Sequence, residues 1–254
     1  MPQEKPMKRL ATLAALLLAA SASFAVEETV TFKSGTETVS AFVARPDGPG
    51  PFPAVIVLHE WWGVDGWIKD QTRALAREGY VALALDLYRG KVTTNPEEAH
   101  QLMMGTPIDR QTRDMKAAFS YLVGRKDVVK AKVASVGWCM GGRNAFTLAI
   151  EEPTLAAAVI YYGALPTEPA AIAKIKAPML GNFGGDDEGP SPTQAKEFEV
   201  AARKAGKTFD LKIYAGAPHA FANPGNPWKG YRKDAANDAW TRTTAFLRHY
   251  LIVK

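Results

Sequence analysis

The chain is poor in the residues that build disulfides and metal centres: its 254 residues include one cysteine and four histidines. A single thiol closes no intramolecular bridge, and one Cys with four scattered His gives no ligand cluster of zinc spacing, which argues against a disulfide scaffold, a structural zinc site or any other metal site. Long apolar runs are also missing. A bilayer span needs roughly 20 residues, whereas the run Leu10 to Ala20 has eleven. The formal net charge is +5, from 31 Lys+Arg against 26 Asp+Glu, with no basic run of the sort that tracks nucleic acid. What is plentiful is apolar content, 47% hydrophobic against 22% charged residues, which is enough to build a core. The length fits one α/β domain.

The short apolar run has its own meaning. Lys5, Lys8 and Arg9 precede it and the small-residue stretch Ser21-Ala22-Ser23-Phe24-Ala25 follows it, the layout of a secretory signal peptide. The expectation is a periplasmic or secreted protein, cleaved after Ala25, with no stable membrane anchor and a single domain over residues 26–254. Cleavage removes three basic residues and one acidic one, leaving 28 against 25, or +3.

Past Ala25, β-rich runs alternate with amphipathic ones. Glu28 to Phe32 and Thr36 to Ala44, joined through Ser34-Gly35, read as an antiparallel hairpin. Continuous apolar runs at Ala54 to Leu58, Val81 to Leu85 and Val133 to Val136 suit strands buried on both faces. Further strands are expected at Ala156 to Tyr161, Met179 to Phe183 and Phe209 to Tyr214. Helices are expected at Trp67 to Glu78, at Pro96 to Val123 with a break near Gly105-Thr106-Pro107, and near Arg143 to Ile150, Thr193 to Ala205 and Ala235 to Tyr250. Alternation of this kind predicts a mostly parallel, doubly wound α/β sheet with an N-terminal antiparallel hairpin. Its ligands should bind beyond the carboxyl ends of the strands.

The third buried run ends there in Gly137-Trp138-Cys139-Met140-Gly141-Gly142-Arg143. A G-x-C-x-G sequence between strand and helix has the form of a nucleophile elbow, whose sharp turn leaves room only for glycine two positions before and after the central residue. The following helix directs free N–H groups and its positive end at Cys139, which favours thiolate over thiol. Cysteine nucleophiles are completed by a base and an orienting carboxylate. In the chain order nucleophile, acid, histidine, only His219 fits: His59 comes too early, and His100 and His249 fall in helical stretches. Asp186 and Asp187 both follow the Met179 to Phe183 strand, and spacing does not choose between them.

Five segments in order resemble the dienelactone hydrolase family of the α/β-hydrolase superfamily: Leu58-His59-Glu60-Trp61-Trp62-Gly63-Val64, Leu85-Asp86-Leu87-Tyr88-Arg89, the elbow Gly137-Trp138-Cys139-Met140-Gly141-Gly142, the loop Gly184-Gly185-Asp186-Asp187-Glu188-Gly189, and Pro218-His219-Ala220-Phe221. The resemblance covers roughly Val30 to Tyr250. It implies an α/β-hydrolase fold and a Cys139, His219, Asp187 triad acting through an acyl-enzyme on small esters or lactones, without a cofactor. It also implies that Glu60 exchanges a proton with the thiol, and that Trp61 and Met140 hold the oxyanion through their backbone N–H groups. Arg89 matches, to within one position, an arginine that binds the carboxylate of the family's substrate. Where the family has a second arginine, four residues after the histidine, this chain has Asn223, which weakens a bidentate carboxylate clamp. Tyr88, Trp62 and Phe221, with Trp61 and Trp138, are expected around the cleft, where they favour an apolar or aromatic substrate. The competing readings are a general carboxylesterase or thioesterase using the same triad, and a catalytically silent binding protein on the same fold. The sequence does not fix an oligomeric state.

Overall fold

The computed structural model describes residues 26–252; the expected signal peptide at residues 1–25 lies outside the described residues. The hairpin comes first, as β1 (Val26–Ser34) and β2 (Glu37–Arg45), paired antiparallel around a turn in which Gly35 takes φ 60°. Then follow β3 (Phe52–Leu58), α1 (Gly66–Arg77), β4 (Val81–Leu85), α2 (Pro96–Met104), α3 (Ile108–Gly124), β5 (Val128–Trp138), α4 (Met140–Glu151), β6 (Ala157–Tyr161), α5 (Pro169–Lys174), β7 (Met179–Gly184), α6 (Pro192–Lys204), β8 (Phe209–Tyr214) and α7 (Lys233–Leu251). The break expected near Gly105-Thr106-Pro107 separates α2 from α3, since proline at 107 cannot continue the first helix. The short helix α5 was not expected. Its six residues carry too few apolar positions for a helical period to show.

The strands form one eight-stranded sheet in the order β1-β2-β4-β3-β5-β6-β7-β8. Pairing is parallel from β4 through to β8, and β2 continues the antiparallel end by pairing Ala41–Ala44 with Leu85–Ala82 of β4. The two faces sort alternate residues of the same fully buried strand. Ala54, Ile56 and Leu58 of β3 join a core with Met115, Phe119 and Leu122 of α3 and Phe146 and Leu148 of α4. Val55 and Val57 join one with Ile68 and Leu75 of α1 and Leu247 and Leu251 of α7. A strand covered on both sides has no polar face, which is why these runs read as continuously apolar.

The chain leaves β3 toward β4 on one side, then crosses back to place β5 on the other. The strand order reverses between β3 and β5, so their carboxyl ends open a crevice at the switch point. Glu60 follows β3 there, and Cys139 follows β5.

Candidate active site

Cys139 adopts φ 54° and ψ −115°, a conformation costly for a residue with a side chain and one that persists only where its surroundings hold it. Its amide donates to the Tyr161 carbonyl at 3.0 Å, and its carbonyl accepts from the Arg143 amide at 3.1 Å. Close backbone approach fixes the rest. A Cβ on Gly137 would lie 1.9 Å from the Gly141 carbonyl oxygen, and one on Gly141 would lie 2.0 Å from that of Leu58. The two glycines therefore let α4 start directly against the ends of β5 and β3, with the thiol at the mouth of the helix.

His219 reaches this thiol from the loop after β8. Its Nδ1 lies 2.8 Å from Asp187 Oδ2, while Asp187 Oδ1 accepts from the Gly189 amide at 2.9 Å. Asp187 is buried, whereas Asp186 is exposed, its recorded tie being a backbone bond from its amide to the Ala217 carbonyl. The geometry thus separates the two aspartates that spacing left equivalent. Burial alone would lower the basicity of His219, but its hydrogen bond to Asp187 and the neighbouring Cys139 outweigh it and push its pKa up to about 10. The imidazole ring meets Tyr162 edge-on, with centroids 5.1 Å apart.

Glu60 is 2% exposed and lines the same cleft. Burial raises its pKa to about 7, offset in part by the Asn223 amide donating to Oε2 at 2.7 Å, by the nearby charge of His219, and by the Tyr162 hydroxyl donating to Oε1 at 3.3 Å. The loop carrying Glu60 is anchored by His59, which is fully buried. His59 Nε2 accepts from the Leu87 amide at 3.3 Å, so Nδ1 holds the ring proton and donates to the Glu60 carbonyl. A histidine outside the chemistry thereby ties the carboxyl ends of β3 and β4 together.

Glu60, Trp61, Trp62, Cys139, Met140, Tyr162 and His219 surround one cleft of about 390 Å³, closed further by Met103, Arg143, Ala164, Gly189, Pro190, Ala220 and Trp228. Neither the Trp61 nor the Met140 amide donates to a protein acceptor among the described residues, which leaves both able to meet an oxyanion. Three indoles form the apolar wall: Trp228 lies 5.6 Å from Trp61 and 5.7 Å from Trp62, which are 5.1 Å from each other.

Three expected substrate contacts lie elsewhere, as does Trp138, which was expected around the cleft but is buried against Trp67 and Tyr161. Arg89 is turned to the sheet edge, where Nη2 lies 2.6 Å from Glu37 and 2.8 Å from Asp114, and it does not line the cleft. Two carboxylates already neutralise it, so a substrate carboxylate would have to displace them. Tyr88 sits behind the site with its hydroxyl donating to Met140 Sδ at 3.3 Å, and Phe221 is wholly buried between Tyr162 and Tyr214. Both support the walls from outside. Conversely, sequence reasoning missed Tyr162, Arg143 and Trp228. Tyr162 could have been flagged by its place just past β6, and Arg143 by its place in the elbow segment. Trp228, on a long irregular loop, gave no local signal. Asn223, which entered as a missing arginine, is the hydrogen-bond partner of Glu60.

A mostly parallel sheet of this order, with a cysteine on the strand-to-helix turn and a late histidine facing an aspartate, defines an α/β hydrolase. Comparison with known proteins narrows the class. The family model for the dienelactone hydrolase family matches residues 39–251. A relative from Saccharolobus solfataricus, named a carboxymethylenebutenolidase, is 36% identical over 259 residues, spanning 88% of this chain and 98% of its own length. Another from Bradyrhizobium, named a 2-oxo-3-(5-oxofuran-2-ylidene)propanoate lactonase, is 32% identical over 86% of this chain and 92% of its own. Among solved structures, a dienelactone hydrolase from Klebsiella pneumoniae superposes with a TM-score of 0.80 at 29% identity, covering 89% of this chain and 99% of that one. The chain belongs to the dienelactone hydrolase family and is a carboxylic ester hydrolase.

Two outcomes follow from this geometry. Gly141→Ala drives a methyl group into the Leu58 carbonyl, so chemical denaturation should show a loss of about 3 kcal/mol or more; a loss below about 1 kcal/mol would mean that the close approach is not required. Glu60 titrates near 7 in the folded protein and near 4.5 when unfolded. Because the folded value is the higher one, its contribution to stability is complete below pH 4.5 and is lost as pH rises to about 7, by roughly 3 kcal/mol at most. Glu60→Gln removes this slope, and denaturation curves at pH 4.5 and pH 8 compared with wild type measure it.

Proposed function

We propose that the protein hydrolyses small esters or lactones through a covalent thioester on Cys139. The observation that carries this reading is that Cys139 and His219 line one apolar cleft while His219 Nδ1 meets the buried Asp187 at 2.8 Å. The Cys139 thiolate attacks the carbonyl carbon, forming the C–S bond as the carbonyl π electrons move to oxygen. The Trp61 and Met140 N–H groups receive that oxyanion. Collapse of the intermediate breaks the ester C–O bond, and His219 gives its proton to the departing oxygen, which in a lactone stays tethered to the acyl group. Water then attacks the thioester, passing a proton to His219 and releasing the acid and the thiolate. Asp187 keeps Nδ1 of His219 protonated so that Nε2 can carry the transferred proton. Glu60, poised near neutrality, takes up the thiol proton as the site is armed and returns it when the site rests.

The apolar wall of Trp61, Trp62 and Trp228 favours apolar or aromatic acyl and alcohol groups over sugars or peptides. No part of the reaction calls for a cofactor. The residues before Val26 support export: a basic start, an apolar run and a small-residue end make up the signal read by the secretion machinery, and the mature protein would then be periplasmic or secreted.

A chromogenic short-chain ester assay tests the mechanism. Cys139→Ala and His219→Ala should each lower kcat by about 10³ or more, with circular dichroism unchanged. Asp187→Asn should cost far more than Asp186→Asn, which should stay within about twofold of wild type because Asp186 is exposed and it is Asp187 that meets His219. Equal losses at 186 and 187 would reassign the acid. An acyl adduct at Cys139, seen as a mass increase on rapid quenching, separates covalent catalysis from direct attack by water. Intact-mass measurement on protein from the periplasmic fraction reports whether cleavage falls after Ala25.

A further inference from the structure

The cleft contains a cation that the proposed chemistry leaves idle. Arg143 stands in the first turn of α4, just past Cys139, and lines the same cleft. Its recorded partners are neutral: Nη2 donates to Gln111 Oε1 at 2.9 Å and to Asn144 Oδ1 at 3.3 Å. Both amides are 1% exposed and belong to a prepared scaffold. Asn144 Nδ2 donates to the same Gln111 oxygen at 2.9 Å, and Gln111 Nε2 is held by the Thr106 carbonyl at 2.5 Å. Nε of Arg143 is buried without a partner, and burial lowers the guanidinium's pKa from its ordinary value, offset in part by the nearby Cys139 and Tyr88 when they are ionised.

Arg110 likewise has neutral partners and a buried Nε without one, but it does not line the cleft, whereas three further arginines lie against carboxylates. Arg89 lies against Glu37 and Asp114, Arg113 against Glu37, and Arg125 against Glu28 and Asp127. A half-buried guanidinium with neutral partners and an unused donor is costly to keep unless an anion comes to it. The other ionisable groups lining the cleft are Glu60, Cys139, His219 and Tyr162; the first three are assigned to the proton chemistry, and burial pushes the Tyr162 hydroxyl well above its ordinary range.

We infer that Arg143 is the specificity-determining residue of this cleft, receiving a carboxylate carried by the ester or lactone substrate. The inference rests on the hydrolase reading for the word substrate, but not for the presence of an anion subsite. It puts that subsite on α4, beside the nucleophile, and not at Arg89 on the sheet edge. One guanidinium amid Met103, Met140 and the indoles fits a compact apolar molecule with a single anionic group. A polyanion would find nothing to match its other charges.

Two measurements test this. Cys139 is the only thiol in the chain, so alkylation reports on this cleft alone. Iodoacetate and iodoacetamide are similar in size and differ in charge, and the ratio of their second-order rate constants reads the cation without any need for turnover. Arg143→Gln should lower the iodoacetate to iodoacetamide ratio at least fivefold, and Arg143→Lys should keep most of it; an unchanged ratio in folded Arg143→Gln overturns the inference. If Arg143→Gln does not fold, wild type decides. Millimolar valerate should slow iodoacetamide alkylation more than valeramide does, and equal effects overturn the inference.

The second measurement compares 4-nitrophenyl hemiglutarate with 4-nitrophenyl valerate. Arg143→Gln should reduce the hemiglutarate to valerate ratio of kcat/KM at least tenfold, mainly through KM. Turnover of both esters with that ratio unmoved removes Arg143 from specificity and leaves the hydrolase reading intact. If wild type hydrolyses neither ester, the hydrolase reading fails for these esters, while the alkylation ratio still decides whether the anion subsite exists.

Discussion

The approach of α4 to the end of β3 is the constraint on which the site depends. With no side chain at Gly141, the first turn of the helix rests against the Leu58 carbonyl, and the same contact sets how far Cys139 stands from the loop bearing Glu60 and Trp61. Two backbone segments far apart in sequence are thereby held at van der Waals separation, a tolerance no flexible side-chain contact offers. The positive φ of Cys139 is a consequence: once strand and helix are fixed this closely, the residue between them has one way to turn.

Around that fixed point the polar groups are arranged in connected layers. His59 joins the Glu60 loop to the Leu87 amide, Asn223 and Tyr162 hold the Glu60 carboxyl, and Asp187 holds His219. Each of these side chains is held by a partner from a distant segment, which offsets the cost of burying it. Asn223 has a particular effect. Being neutral, it stabilises the ionised carboxyl less than a guanidinium in its place would, so burial keeps Glu60 titrating near neutrality.

The parts of this arrangement that were legible in the sequence are those with a local signature. Buried strands appeared as unbroken apolar runs, and the elbow appeared because its glycines are dictated by backbone contact within a few residues. The family resemblance supplied the choice of Asp187 over Asp186. What failed to show was long-range. Arg89 stands after the second buried strand as expected, but its direction is decided by Glu37 and Asp114, which come from β2 and α3. Phe221 follows the late histidine yet points into the core, because Tyr162 and Tyr214 form a socket for it. Spacing gives the place of a residue along a strand end; the orientation of its side chain is settled by neighbours from distant segments.

The indole of Trp228, more than half exposed, leans over two others at the mouth of the cleft. Three such chromophores within 6 Å of one another can exchange excitation energy, and a molecule entering between them would alter both their packing and their access to water. The protein thus carries an intrinsic optical reporter of occupancy, readable from its emission without any label.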